Sequence, residues 1–120
     1  MFSSEQTTIA HDVPRGEAIA RLNDQLRKTL RGGHVMVTRG VRLLDGFNAA
    51  ALIAVLAEHN QFDVDNDPHG ERDFGDITLC GATLLWKIDY YDRQLQYASP
   101  DPADAKVTAR VLTVMLENEY

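Results

Sequence analysis

The chain has 120 residues, 44% of them apolar and 25% charged, with a net charge of −6, which suits one globular domain that buries a core of its own. This composition excludes a mainly disordered or fibrous chain. The single cysteine, Cys80, excludes an internal disulfide, and no apolar run approaches the ~20 residues that cross a bilayer. Charge is uneven: residues 1–42 hold seven Lys/Arg and four Asp/Glu (+3), residues 43–120 five and fourteen (−9), and the acid excess makes nucleic acid an unfavoured partner.

Met1 to His11 reads as a flexible lead-in, and residues 12–120 as a single domain. The lead-in is polar and carries Glu5, the wrong chemistry for a secretory signal, so the expected compartment is the cytoplasm, with no membrane partner. Asp12-Val13-Pro14 reads as a helix start, because proline is tolerated in the first turn. Ile19, Leu22, Leu26 and Leu30 then repeat at spacings of three and four, which predicts one apolar stripe with Arg21, Arg27, Lys28 and Arg31 off it. Gly32-Gly33 stops the helix. His34 to Thr38 alternates and predicts a short strand. Asp45 to Asn60 predicts a second helix, capped by Asp45, with Ala49, Leu52, Ile53 and Leu56 inward.

Phe62 to Asp76 is acid-rich, broken by Asn66, Pro68 and Gly70, and reads as a loop. Ile77 to Leu79, a turn at Cys80-Gly81, and Leu84 to Tyr91 predict a hairpin. Its second strand sends Trp86, Ile88 and Tyr90 to one side and Lys87, Asp89 and Tyr91 to the other. Leu95 to Ala98 predicts a further strand. Ser99-Pro100-Asp101-Pro102 predicts the start of a last helix reaching about Asn118, with Val107, Val111, Val114 and Met115 inward. The expected fold is therefore α+β, in the order α-β-α-β-β-β-α: an antiparallel sheet of three or four strands with about three helices on one face. Periodicity alone leaves open which side of the sheet the helices cover.

Chemistry is expected at the loop. Residues 63–76 hold six of the 18 carboxylates, with His69 and Arg72, and such a cluster repels itself unless a cation, a basic partner or water screens it. Asp63, Asp65 and Asp67 imitate the opening of an EF-hand, but Pro68 stands where that loop needs glycine and Phe74 where it needs a bidentate glutamate. A less regular divalent-metal site is one reading, with Asp65, Asp67, His69, Glu71 and Asp73 as ligands suited to Mg²⁺, Mn²⁺ or Fe²⁺. Acid–base catalysis by His69 with Glu71, Asp73 and Asp89 is another. The favoured reading is structural: the aspartates cap turns and His69 makes a local hydrogen bond, with no cofactor. Cys80 reads as a small, semi-buried strand residue rather than a nucleophile, since no nucleophile motif surrounds it.

Asp65-Asn66-Asp67-Pro68-His69-Gly70-Glu71-Arg72-Asp73-Phe74-Gly75 and Trp86-Lys87-Ile88-Asp89-Tyr90-Tyr91-Asp92 form two longer motifs. With Thr38-Arg39-Gly40-Val41, Ser99-Pro100-Asp101-Pro102-Ala103-Asp104 and Arg110-Val111-Leu112-Thr113, they make residues 19–120 resemble a family of short bacterial, mainly alphaproteobacterial, proteins, domain of unknown function 3768. The resemblance implies one intracellular folding unit and carries no reaction with it. Beside it, the acidic loop and adjacent sheet face suggest a noncatalytic interaction protein that meets another protein or a second copy, with Trp86, Lys87, Tyr90 and Tyr91 as contact residues. The alternative is a small enzyme built on His69, Glu71, Asp73 and Asp89.

Overall fold

A computed structural model describes residues 13–120; the lead-in of residues 1–11 and the helix-start residue Asp12 lie outside the described residues. Helix α1 spans Arg15–Thr29, directly after Pro14. It ends at Leu30, whose φ of 62° and N–H bond to the Leu26 carbonyl close the last turn ahead of the two glycines. Strand β1 (His34–Val37) follows, then the single turn α2 (Arg39–Arg42) and helix α3 (Ala49–Glu58). Asn48, not Asp45, caps α3, its side-chain oxygen accepting from the Ala51 N–H at 3.0 Å. The loop leads into β2 (Phe74–Leu79), β3 (Ala82–Tyr91) and β4 (Ala109–Leu116), and a 3₁₀ turn over Glu117–Glu119 closes the chain.

The fold is α+β, a four-stranded sheet in the order β1-β4-β3-β2. The hairpin turns where expected, at Cys80 and Gly81, both at positive φ (55° and 72°) as a two-residue type I′ turn requires. That turn leaves Cys80 exposed and not half-buried, and β2 also takes Phe74 to Asp76 out of the expected loop. Three further expectations are corrected. Residues 99–116 form no helix, and 109–116 are a strand: Val107, Val111 and Val114 at spacings of four and three imitate a helical stripe, but nearly every position of 109–116 is buried, so the run carries no period. Leu95 to Ala98 is no strand; that stretch touches β3 only through a Tyr91–Ala98 bridge, and β4 takes the place beside β3. The sheet is mixed, because β1 pairs with β4 in parallel, His34 opposite Val111 through Val37 opposite Val114.

Pairing of β1 with β4 needs a close approach at Gly33, where a Cβ would lie 2.6 Å from the Arg110 carbonyl oxygen. The core joins Leu26 of α1, Val41 of α2, and Leu52 and Leu56 of α3 to one face of the sheet, represented by Ile77, Leu84, Trp86, Ile88, Leu112 and Val114. Burying this apolar surface, at about 25 cal/mol per Å², is the main source of stability. In α3 the inward face is narrower than expected, since Ala49 and Ile53 are exposed. Arg27 reverses its expected place and is 1% exposed, inside the domain.

Candidate functional site

The acidic loop is ordered by its own carboxylates. Asp63 accepts from the N–H groups of Asp65 (2.9 Å) and Asn66 (3.0 Å), and Asn66 in turn accepts from Asp63 N–H, a local turn of the kind short polar side chains make. Asp67 accepts from the Arg72 N–H at 2.9 Å. Arg72 sits at φ 51°, where a non-glycine residue is strained, and its guanidinium holds Asp24 at 2.9 Å and Glu17 at 3.2 Å, both on α1. Hydrogen bonding by those two carboxylates raises the arginine's pKa further, and the Arg72 hydrogen bond lowers that of Glu17.

Beyond Arg72 the loop is tied to the helix-covered side of the sheet. Tyr90 Oη donates to the Glu71 carboxylate at 2.8 Å, and Asn23 Nδ2 donates both to Tyr90 Oη (2.8 Å) and to the Glu71 carbonyl (3.0 Å). Arg110 Nε donates to Asn23 Oδ1 at 2.9 Å, and its guanidinium lies 5.2 Å from the Tyr90 ring centroid and donates to the Pro102 carbonyl. Burial pushes the Tyr90 phenol well above its usual range and pulls the Arg110 guanidinium down. Asp73 accepts the Ile88 N–H through its carbonyl, and burial raises the pKa of its carboxyl.

The four acid–base candidates do not share one space. Glu71 meets Tyr90 on the helix side, whereas Asp89, the neighbour of Tyr90 in β3, projects to the opposite face and pairs with Lys87. His69 is exposed and makes no hydrogen bond to a described residue; its carbonyl lies 3.1 Å from where a Gly16 Cβ would stand, which sets the loop against α1. No group of three His, Cys, Asp or Glu side chains suited to a metal ion occurs among the described residues, Asp65 and Asp67 included.

The four contact candidates also divide. Trp86 is fully buried and Tyr90 lies on the same helix-covered side, while Lys87 and Tyr91 belong to the other face. Among the described residues that second face bears no α-helix. It presents the half-buried Lys87–Asp89 pair at its middle, Leu85, Tyr91 and Thr113 around it, and Met36 (58% exposed) on the edge strand, with Val111 and Met115 of β4 buried between them. Phe74 stacks against Tyr120 at 5.8 Å between centroids on its other border.

Sequence reasoning missed the polar interior. Asn23 and Arg27 fall between the apolar positions of α1, at the one helical angle that also faces inward, and this spacing was the available signal. Arg27 donates to the carbonyls of Leu56 and His59, each at 2.8 Å, pairs with Asp24, and lies over the rings of Phe62 and Trp86. His59 and Trp86 each bury a ring nitrogen without a described partner, and both point to Gly75, where a Cβ would stand 2.8 Å from either. Burial, then the neighbouring Arg27, lowers the His59 pKa.

Fold and geometry together define a small α+β domain with a one-sided sheet and a loop pinned by an internal polar network. The family model described as protein of unknown function (DUF3768) matches residues 37–119, and the chain belongs to that family. No curated protein and no solved structure matches it.

Proposed function

We propose that the domain is a noncatalytic interaction protein of the bacterial cytoplasm, which meets another protein or a second copy of itself through the uncovered sheet face and the adjoining loop. The observation that carries this reading is that helices α1 to α3 all pack on one side of the sheet, while the other side bears no α-helix among the described residues and is bordered by the chain end, where Tyr120 lies against Phe74. Four strands at about 4.8 Å, averaging seven residues at about 3.3 Å each, give roughly 450 Å² per face. Two such faces approach the ~1,000 Å² lower bound of specific interfaces. The Lys87–Asp89 pair makes the centre of the face self-complementary, since each charge meets its opposite across a two-fold axis. Exposed Asp63 and Asp65 on the loop add a negative rim that favours a basic partner surface. The exposed free thiol of Cys80 suits a reducing compartment.

Site-specific photo-cross-linking in the host cell tests the reading, with the reactive residue placed at Met36 or at Tyr120 (76% exposed) and at Cys80 as a control on the hairpin turn. Protein adducts from the two face positions and none from the turn are expected. Absence of face-specific adducts overturns it.

A further inference from the structure

A cavity of about 360 Å³ opens at the end of the sheet where β1 and β4 begin. Its lining includes His34, Arg93, Thr108 and Arg110 beside Gly32 and Gly33, and no carboxylate. In a chain of net charge −6 this concentration of bases is unexpected. Arg110 is only 1% exposed, yet neither it nor Arg93 forms an ion pair with a described residue. Buried charges in folded proteins are paired, and Arg27, the other buried arginine, has Asp24. Arg110 has a neutral amide, a carbonyl and an aromatic face instead, and the Glu71 carboxylate reaches it only across Tyr90 and Asn23.

We propose that this cavity is a binding site for a small molecule bearing an oxyanion group, a phosphate or a carboxylate, held by Arg93 and Arg110 with His34 and the Thr108 hydroxyl nearby. The planar guanidinium fork matches either group. The volume lies at the small end of the range for ligand pockets, which points to a metabolite-sized anion and not a polymer. Exposed Arg93 draws the anion in, and Arg110 is held in place before binding by Asn23 and Tyr90. The site stands independently of the interaction reading above.

The test is an amide-resolved NMR titration of the full chain with inorganic phosphate and, separately, succinate, against sodium chloride at matched ionic strength. Saturable shifts at Gly32, Gly33, His34 and Thr108 are expected with at least one of the two anions, and the tighter one identifies the group. Arg93→Gln, a surface change that leaves the core intact, should weaken that binding about tenfold, the effect of losing one charge-assisted hydrogen bond. Lys28→Gln should leave it unchanged. The proposal fails if neither anion gives saturable shifts at these amides beyond those of chloride, or if Arg93→Gln binds as tightly as the parent.

Discussion

Replacing Arg27 by methionine isolates the work of its charge, because methionine keeps an apolar stem against Phe62 and Trp86 and removes the guanidinium. The carbonyls of Leu56 and His59, at the end of α3, each lose a donor now at 2.8 Å. The Leu56 carbonyl keeps the His59 N–H at 3.4 Å, so it loses one bond to a charged donor, about 1.5–3 kcal/mol. The His59 carbonyl is left unpaired at about 1–3 kcal/mol, which makes about 2.5–6 kcal/mol together. Asp24 contributes little to the loss, since Arg72 still holds it at 2.9 Å. Part of the cost is offset, because the variant no longer desolvates a cation whose Nε lacks a described partner. A net loss of about 3 kcal/mol is expected, a large share of the roughly 5–15 kcal/mol that stabilises a domain. Urea unfolding followed by Trp86 fluorescence measures it, and the midpoint should fall by about 2 M for a slope of 1–2 kcal/mol/M. Arg27→Lys, which keeps the charge but cannot span both carbonyls and Asp24, should fall between. An Arg27→Met variant within about 0.5 kcal/mol of the parent would refute the idea that this side chain secures the end of α3.

Tyr90→Phe removes a hydroxyl that donates to Glu71 and accepts from Asn23, and should cost about 1–2 kcal/mol in chemical denaturation. Its effect should be less than additive with Glu71→Ala, because both changes break the same bond. Cys80→Asn places a residue tolerant of positive φ at the φ 55° turn position and should stabilise by about 0.5–1 kcal/mol, seen as a melting temperature about 3–5 °C higher. Asp73 has a folded pKa raised, through burial, above its ordinary 3.8. Between the unfolded and folded pKa the native state binds more protons, so this group makes stability fall as pH rises through that window. Asp73→Asn should therefore be more stable than the parent at pH 7, with the gap closing as pH drops below about 3.9; a gap that stays constant from pH 3 to 7 contradicts the assignment.

Much of the fold was legible because local signals and tertiary packing agree in α1, α3 and the hairpin. The period of α1, the apolar run of α3 and the Cys80-Gly81 turn each specify their element from within. Strand β4 was not legible. Its residues Ala109 to Met115 are nearly all buried, between β1 on one side and β3 on the other, and a strand buried so evenly has no alternation to read. Its parallel pairing with β1 joins residues 77 positions apart, as in His34 with Val111, which no local pattern encodes. The candidate site was legible as a place and not as an arrangement. The loop's acids stand out by density, but whether Glu71 and Asp89 share a face depends on which side of β3 the helices cover. Arg27 and Arg110 were opaque for a related reason: their charges say surface, and only the carbonyls and amide that receive them make burial tolerable.

The family match begins at residue 37, yet the folding unit begins earlier. Helix α1 supplies Leu26 to the core, Asn23 to Arg110 and Tyr90, Asp24 to Arg72, and Arg27 to the end of α3. Strand β1 covers the edge of β4 through four paired positions. A chain cut to residues 37–120 would strand the His59 carbonyl, deprive Arg72 of both its carboxylates and turn β4 into an exposed apolar edge, which invites association between chains. It should show no cooperative unfolding transition and should aggregate, whereas residues 13–120 should unfold in one transition. Thermal and urea unfolding followed by near-ultraviolet circular dichroism separates the two. A cooperative transition in the 37–120 chain, at a midpoint near that of the longer one, would mean that the polar contacts of α1 decorate a domain already complete without them.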